Sequence, residues 1–65
     1  MKVGDTIRIT FHDHAEDMHT IGTVIALLND GFVKATIDDP EHPLAIYQDK
    51  PRELHVSPTN YQAVK

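Results

Sequence analysis

The stretch that decides the fold is residues 21–38, "IGTVIALLNDGFVKATID", in which two apolar segments flank an Asn-Asp-Gly sequence. Asn-Asp and Asp-Gly pairs tolerate positive φ, so residues 29–31 predict a tight hairpin turn. After the turn, Val33, Ala35 and Ile37 alternate with polar or aromatic residues, which indicates a half-buried strand. Before it, residues 20–28 predict a strand that is buried on both faces or bends between two sheets, with Gly22 at a bend or bulge.

The same period-2 alternation continues toward the amino terminus. In "TIRITF", Ile7, Ile9 and Phe11 share one face, while the threonines and the arginine between them share the other. This pattern predicts a first strand over residues 5–12. A longer polar stretch then separates it from the strand at 20–28.

Shorter segments follow residue 38. Two prolines in "DPEHP", residues 39–43, predict a turn, and "LAIYQ", 44–48, predicts a fourth strand. Pro51 within "DKPRE", 49–53, predicts a second turn or a single 3₁₀ turn. Alternation resumes in "LHV", 54–56. Residues 57–65 fit either a flexible tail or a last short strand.

These segments predict an all-β fold made of five short strands in one domain, residues 1–65. No long window has helical spacing. A chain of 65 residues buries a limited core, so closing the strands into a small barrel is the economical way to limit exposed strand edges. We therefore expect a small five-stranded barrel.

The composition restricts the function classes. The chain has no cysteine, which excludes disulfides and thiolate metal sites and favours a cytoplasmic location. No apolar run has the length of a membrane span, so we expect no membrane role. Ten acidic residues against six basic ones give a net charge of −4, which disfavours a nucleic-acid partner and leaves a protein partner as the better expectation.

The order of segments over residues 3–57 resembles the SH3-like barrel superfamily. The start "VGDTIRI" is similar to the "G-D-x-[IV]-R" opening of many such domains, and "IGTVIALLNDGFVKATID" resembles the second and third strands of KOW and Tudor-type modules. The resemblance implies a small barrel with a long loop after its first strand. It also implies that this loop, the loop after the second strand and a 3₁₀ turn share one ligand-binding rim.

A second resemblance is to the plasmid-borne type II dihydrofolate reductases, which are SH3-like barrels. The shared landmarks are the Gly4–Arg8 start, His42-Pro43 and Ile46-Tyr47. Two positions depart from that family: its glutamine before Ile-Tyr is Ala45 here, and its active-site lysine falls near Ile9. The resemblance therefore supports the fold and argues against the reductase activity, which stays an alternative only for an assembled oligomer.

The stretch 12–19, "HDHAEDMH", contains three histidines and three carboxylates. Neutral imidazole is a preferred zinc ligand, so His12, His14 and His19 are the candidate ligands of a zinc or similar ion. The spacing matches no closed structural zinc pattern. A pH response is the second reading, because imidazoles titrate at roughly pH 6.5. The third interpretation, a solvated polar loop, is the one that we favour for residues 12–19.

Catalysis has little support in the sequence. Ser57 precedes a proline, and no glycine-rich phosphate-binding loop is present. The pair Asp38-Asp39 precedes Pro40, where carboxylates commonly cap turns. A barrel of this size also has little interior room for a substrate. We therefore expect a protein that is not an enzyme and has no cofactor.

The expected function is protein binding through acidic, histidine-rich loops. Exposed aromatic side chains in acidic surroundings are plausible anchors for a basic partner, although they also commonly complete small cores. The candidate partner-binding residues are His14, Glu16, Asp17, His19, Asp30, Phe32, Tyr47 and Arg52.

The alternative is a nucleic-acid role as in KOW or Tudor-like modules. Its candidate residues are Arg8, Lys34, Lys50 and Arg52. A marginal core and open strand edges also make a homodimer an expectation.

Overall fold

The computed structural model describes residues 1–12 and 17–64, which are mostly strand. In chain order the strands are β1 (Thr6–His12), β2 (Asp17–Leu27), β3 (Val33–Ile37), β4 (Ile46–Tyr47), β5 (Lys50–Pro51), β6 (Glu53–Val56) and β7 (Tyr61–Ala63). A 3₁₀ turn at Asn29–Gly31 connects β2 to β3. The all-β prediction is confirmed.

Five strands form one antiparallel sheet in the order β6-β3-β2-β1-β7. The long strand β2 is its centre, because residues 17–23 pair with β1 and residues 22–27 pair with β3. The last strand, β7, returns to pair with β1, with Ile9 opposite Tyr61. A five-stranded antiparallel sheet is thus present, and its closure into a barrel stays a prediction.

The core lies on one face of this sheet, where the alternation placed it. Ile7, Ile9, Val24, Val33, Ala35 and Val56 are buried and form one cluster. Phe11, Leu54 and Tyr61 are partly buried and pack against its margin. The alternation in β3 is confirmed, because its residues are buried at every second position from Val33 to Ile37.

Of the two predictions for residues 20–28, burial on both faces is wrong. Thr20, Gly22 and Val24 face the core, but Ile21 on the opposite face is 40% exposed. The bulge predicted at Gly22 lies instead between Val24 and Ala26. Gly22 serves close packing, since a Cβ there would lie 2.4 Å from the carbonyl oxygen of Thr36.

Positive φ in the turn at 29–31 is confirmed for Asp30 (63°) and Gly31 (82°). The turn is wider than a two-residue hairpin. The amide of Phe32 donates to the carbonyl of Asn29 (3.2 Å), and the amide of Leu28 donates to that of Phe32 (2.9 Å). This arrangement brings Phe32 to the surface, 41% exposed.

Residues 38–52, here called the connecting segment, differ most from expectation. The predicted fourth strand at 44–48 shortens to β4, which pairs with β5 and not with the large sheet. The predicted turn at 49–53 is wrong, because the chain reverses at Gln48 and Asp49, both with positive φ. Pro51 lies in β5 opposite Ile46, a position that a two-residue edge strand tolerates although proline has no N–H.

The carboxyl-terminal residues form a last strand, the second of the two expectations for 57–65. A turn at 57–60 precedes it, closed by the amide of Asn60 donating to the carbonyl of Ser57 (2.8 Å). The amide of Thr10 donates to the carbonyl of Asn60 (2.8 Å), so this turn lies beside the end of β1. Lys65 lies outside the described residues.

Candidate binding groove

A groove with a largely apolar floor opens between the end of β1, the end of the 3₁₀ turn and β6. Its volume is about 240 Å³. The residues that line it, here called the apolar groove, are Ile9, Thr10, Phe11, Phe32, Leu54, His55, Val56, Ser57 and Asn60. Three sequence-distant segments meet there, because β7 returns to β1 and β6 pairs with β3.

Phe11, Phe32 and Leu54 form the apolar surface of this groove. Phe11 is the last inward residue described on β1, and Leu54 lies on the edge strand, so the core does not cover either completely. Phe32 follows the positive-φ residues of the 3₁₀ turn and is the most exposed of the three. An exposed phenylalanine beside a hollow is a typical anchor point for a partner.

The polar side of the apolar groove comes from Thr10, His55, Ser57 and Asn60. The Ser57 hydroxyl lies 3.0 Å from that of Thr59, which fixes the geometry of the 57–60 turn. Ser57 and Asn60 carry a hydroxyl and a side-chain amide, which are groups that can pair with the backbone of a bound segment.

Phe32 also lines a second hollow, of about 220 Å³. Its further lining residues are Met1, Leu27, Leu28, Gly31, Val33 and Tyr61. Met1 and Leu27 are each 51% exposed. Phe32 therefore contributes to two hollows, and their combined surface is larger than either alone.

The remaining predicted aromatic, Tyr47, lies in a different place. It lines an open groove of about 460 Å³ on the hairpin formed by β4 and β5, together with Lys50, Pro51 and Arg52. Tyr47 is 61% exposed, and the guanidinium carbon of Arg52 lies 5.7 Å from the centre of its ring. Such a cation–π contact restrains both side chains.

The described members of the predicted rim thus lie on separate surfaces. Phe32 lines the apolar groove, Tyr47 and Arg52 line the hairpin groove, and Asp30 is exposed on the 3₁₀ turn. His19 lies on the sheet face opposite the core, with its Nδ1 3.1 Å from the hydroxyl of Thr10. The predicted residues His14 and Glu16 lie outside the described residues, as does the side chain of Asp17.

The metal prediction stays a prediction. Within the part of the chain that the structure describes, no three histidine, aspartate or glutamate side chains come together as a metal-binding group. Of the candidate ligands, His14 and the side chain of His12 lie outside that part. The third candidate, His19, has a structural contact, because its ring is within hydrogen-bond distance of the Thr10 hydroxyl.

The predicted nucleic-acid residues do not form one basic surface. Arg8 donates to the side-chain oxygen of Gln62 (3.2 Å) on the outer face of the sheet. Lys34 lies 3.6 Å from a carboxylate oxygen of Glu53. Lys50 and Arg52 line the hairpin groove together. The structure thus brings two of the four together.

Of the nine residues that line the apolar groove, only Phe32 was predicted as a site residue. Alternation assigned Phe11 and Leu54 to strands but did not indicate that they lie at the margin of the core. The pairing of Tyr61 with Ile9 brings residues 57–60 beside Thr10. That pairing follows from tertiary packing, and the only sequence signal for it is the weak alternation near the carboxyl terminus.

Comparisons of the chain with protein-family models, with curated proteins and with solved structures find no match. Across residues 1–12 and 17–64, no helix has the length and apolar character needed to cross a membrane.

Proposed function

We propose that the protein is a small, non-enzymatic binding module of the SH3-like type, which holds a segment of a partner protein in the apolar groove. The observation that carries the proposal is the position of Phe32, a large apolar side chain that is 41% exposed and lines two hollows. Exposed aromatic residues beside hollows are over-represented where proteins meet partners.

The strand order supports the proposed fold type. The last strand lies beside the first, and the short turn before it lines the same groove as the end of β1 and the residue after the β2–β3 turn. According to the resemblance described above, the loop after the first strand and the loop after the second strand belong to the ligand-binding rim of SH3-like barrels. The end of β1 and the residue after the β2–β3 turn adjoin these two loops.

The size of the apolar groove favours a polypeptide segment over a small metabolite. Sites for drug-sized ligands and cofactors usually enclose about 300–1,000 Å³. A volume of about 240 Å³ accommodates one or two side chains. The remaining contacts of a bound segment would then lie along the polar residues at the edge of the groove.

Charge supports a basic partner. The chain has a net charge of −4, and the acidic stretch at 12–19 begins directly after Phe11, a lining residue of the groove. Complementary charge near a binding site accelerates association and disfavours partners of the wrong sign. A partner segment with an apolar anchor and flanking lysine or arginine fits these features.

Affinity capture with matched variants tests this proposal. The wild-type protein, Phe32→Ser and Ile21→Ser would each be immobilised and exposed to lysate of the source cell. Ile21 is the control because it is 40% exposed, as Phe32 is 41% exposed, but lies on the opposite face of the sheet. A protein captured by wild type and Ile21→Ser and lost with Phe32→Ser supports the proposal. Equal capture by all three contradicts it.

A further inference from the structure

The hairpin formed by β4 and β5 is separate from the large sheet. Its strands have two residues each and pair with one another. A two-stranded hairpin is marginally stable in water unless another surface covers it. Ile46 and Tyr47 are nevertheless 52% and 61% exposed. Neighbouring strand residues point to opposite faces, so apolar surface is exposed on both sides of the hairpin.

Charge is segregated along the connecting segment that contains this hairpin. Residues 38–45 contain three carboxylates and no lysine or arginine. Residues 46–52 contain Lys50 and Arg52 against one carboxylate, that of Asp49. The pairing of Tyr47 with Lys50 places a cation beside the exposed aromatic ring at the tip of the hairpin.

The acidic end of the connecting segment is held in place. A side-chain oxygen of Asp39 accepts a hydrogen bond from the amide of Glu41 (3.0 Å), and the Thr23 hydroxyl donates to Asp38 (2.9 Å). The ring of His42 also packs on Phe11, with 5.7 Å between the ring centres. Residues 38–41, here called the acidic turn, are all exposed, so their carboxylates form an accessible negative patch in which Asp38 and Asp39 are held by hydrogen bonds.

We propose that a second copy of this chain covers the hairpin, with the basic, aromatic tip of each copy lying against the acidic turn of the other. Such a pair has two-fold symmetry, so each favourable contact forms twice. Tyr47 would then be buried near the centre, between two sets of opposite charges. A domain of 65 residues with a small core also gains stability from self-association.

Sedimentation velocity combined with a charge exchange tests this proposal. Wild type should form a dimer. Lys50→Glu and Glu41→Lys should each weaken dimerisation about tenfold or more, because each substitution replaces two symmetric attractions with repulsions. An equimolar mixture of the two variants should regain the dimer, since the altered tip of one then meets the altered turn of the other.

Two further variants complete the test. Lys2→Glu changes the net charge as Lys50→Glu does, on an exposed residue outside the connecting segment, and should leave the dimer intact. Tyr47→Ser should weaken it. A monomeric wild type would overturn the proposal. It would also be overturned by a dimer that is insensitive to Lys50→Glu, or by single variants that stay monomeric when mixed.

Discussion

The hydroxyl of Tyr61 donates a 2.7 Å hydrogen bond to the carbonyl oxygen of Gly31, thirty residues earlier in the chain. This bond joins the last strand to the 3₁₀ turn that precedes Phe32. Gly31 has φ of 82°, so its carbonyl direction depends on a backbone conformation that side-chain-bearing residues rarely adopt. The position of Phe32 therefore depends on the hydrogen bond between β7 and the 3₁₀ turn.

Tyr61→Phe tests the importance of this bond. Removing the hydroxyl should lower the free energy of unfolding by about 1 kcal/mol, the usual net value of one hydrogen bond. Urea denaturation followed by circular dichroism measures the change. Tyr47→Phe is the matched control, because Tyr47 is 61% exposed and its loss of a hydroxyl should change stability by less than about 0.5 kcal/mol. Equal effects of the two substitutions would contradict the assigned role.

Gly22→Ala should be strongly destabilising. The added methyl group would lie 2.4 Å from the Thr36 carbonyl oxygen and 2.8 Å from the Cδ1 of Ile9, and the paired backbone of β3 cannot withdraw without breaking the sheet. Overpacking of this kind costs about 1–3 kcal/mol or more. Thermal unfolding measures this loss of stability, with Gly4→Ala as the control. At Gly4 only the positive φ is unfavourable for alanine, since no atom lies within 4 Å of the added Cβ. A Gly22→Ala protein as stable as wild type would contradict this packing.

His42→Ala should loosen the connecting segment. The Nδ1 of His42 accepts a hydrogen bond from the amide of Leu44 (3.1 Å), and its ring packs on Phe11. Losing both contacts should reduce the free energy of unfolding by about 1–3 kcal/mol. Amide hydrogen exchange should also accelerate at Ala45, whose amide donates to the carbonyl of His42 (2.9 Å), and at Arg52, whose amide donates to the carbonyl of Ala45 (2.8 Å). The exposed His55 supplies the control, since His55→Ala should leave both measurements close to wild type.

Binding to mixed single-stranded DNA and RNA should be negligible even at low salt. The four predicted basic residues do not form one surface, since only Lys50 and Arg52 line the same groove, and the chain is acidic overall. Nucleic-acid affinity depends on neutralising several phosphates at once. Fluorescence anisotropy with labelled oligonucleotides measures it. A steeply salt-dependent affinity that Lys50→Glu abolishes would show that the hairpin groove binds nucleic acid instead.

Much of the sheet follows from local pattern. Alternation identified β1 and β3 because one face of each is buried, as the buried Ile7 and Ile9 illustrate. Asn-Asp-Gly identified the positive-φ turn because few other sequences adopt that conformation at low cost. Local pattern failed at Ile21, which is apolar but exposed. The neighbouring residues do not indicate whether another part of the protein covers that face of the sheet.

The candidate site was less predictable than the fold. Phe32 was identified as an outward aromatic, but Ser57 and Asn60 come to the same groove through long-range pairing of β7 with β1. The connecting segment was assigned a strand at 44–48 because "LAIYQ" is apolar, yet its hairpin pairs outside the large sheet. Hairpin register there depends on the turn at Gln48 and Asp49, which has no glycine to indicate it.

Peptide selection followed by NMR mapping tests the central claim most directly. A random peptide library would be selected on the immobilised protein, and the best peptide titrated into ¹⁵N-labelled protein. We predict peptides with an apolar anchor flanked by basic residues, and amide shifts concentrated at residues 9–11, 32 and 54–60 that disappear in Phe32→Ser. Failure to select any peptide, or shifts concentrated at 46–53 with Phe32→Ser binding as wild type does, would contradict the account.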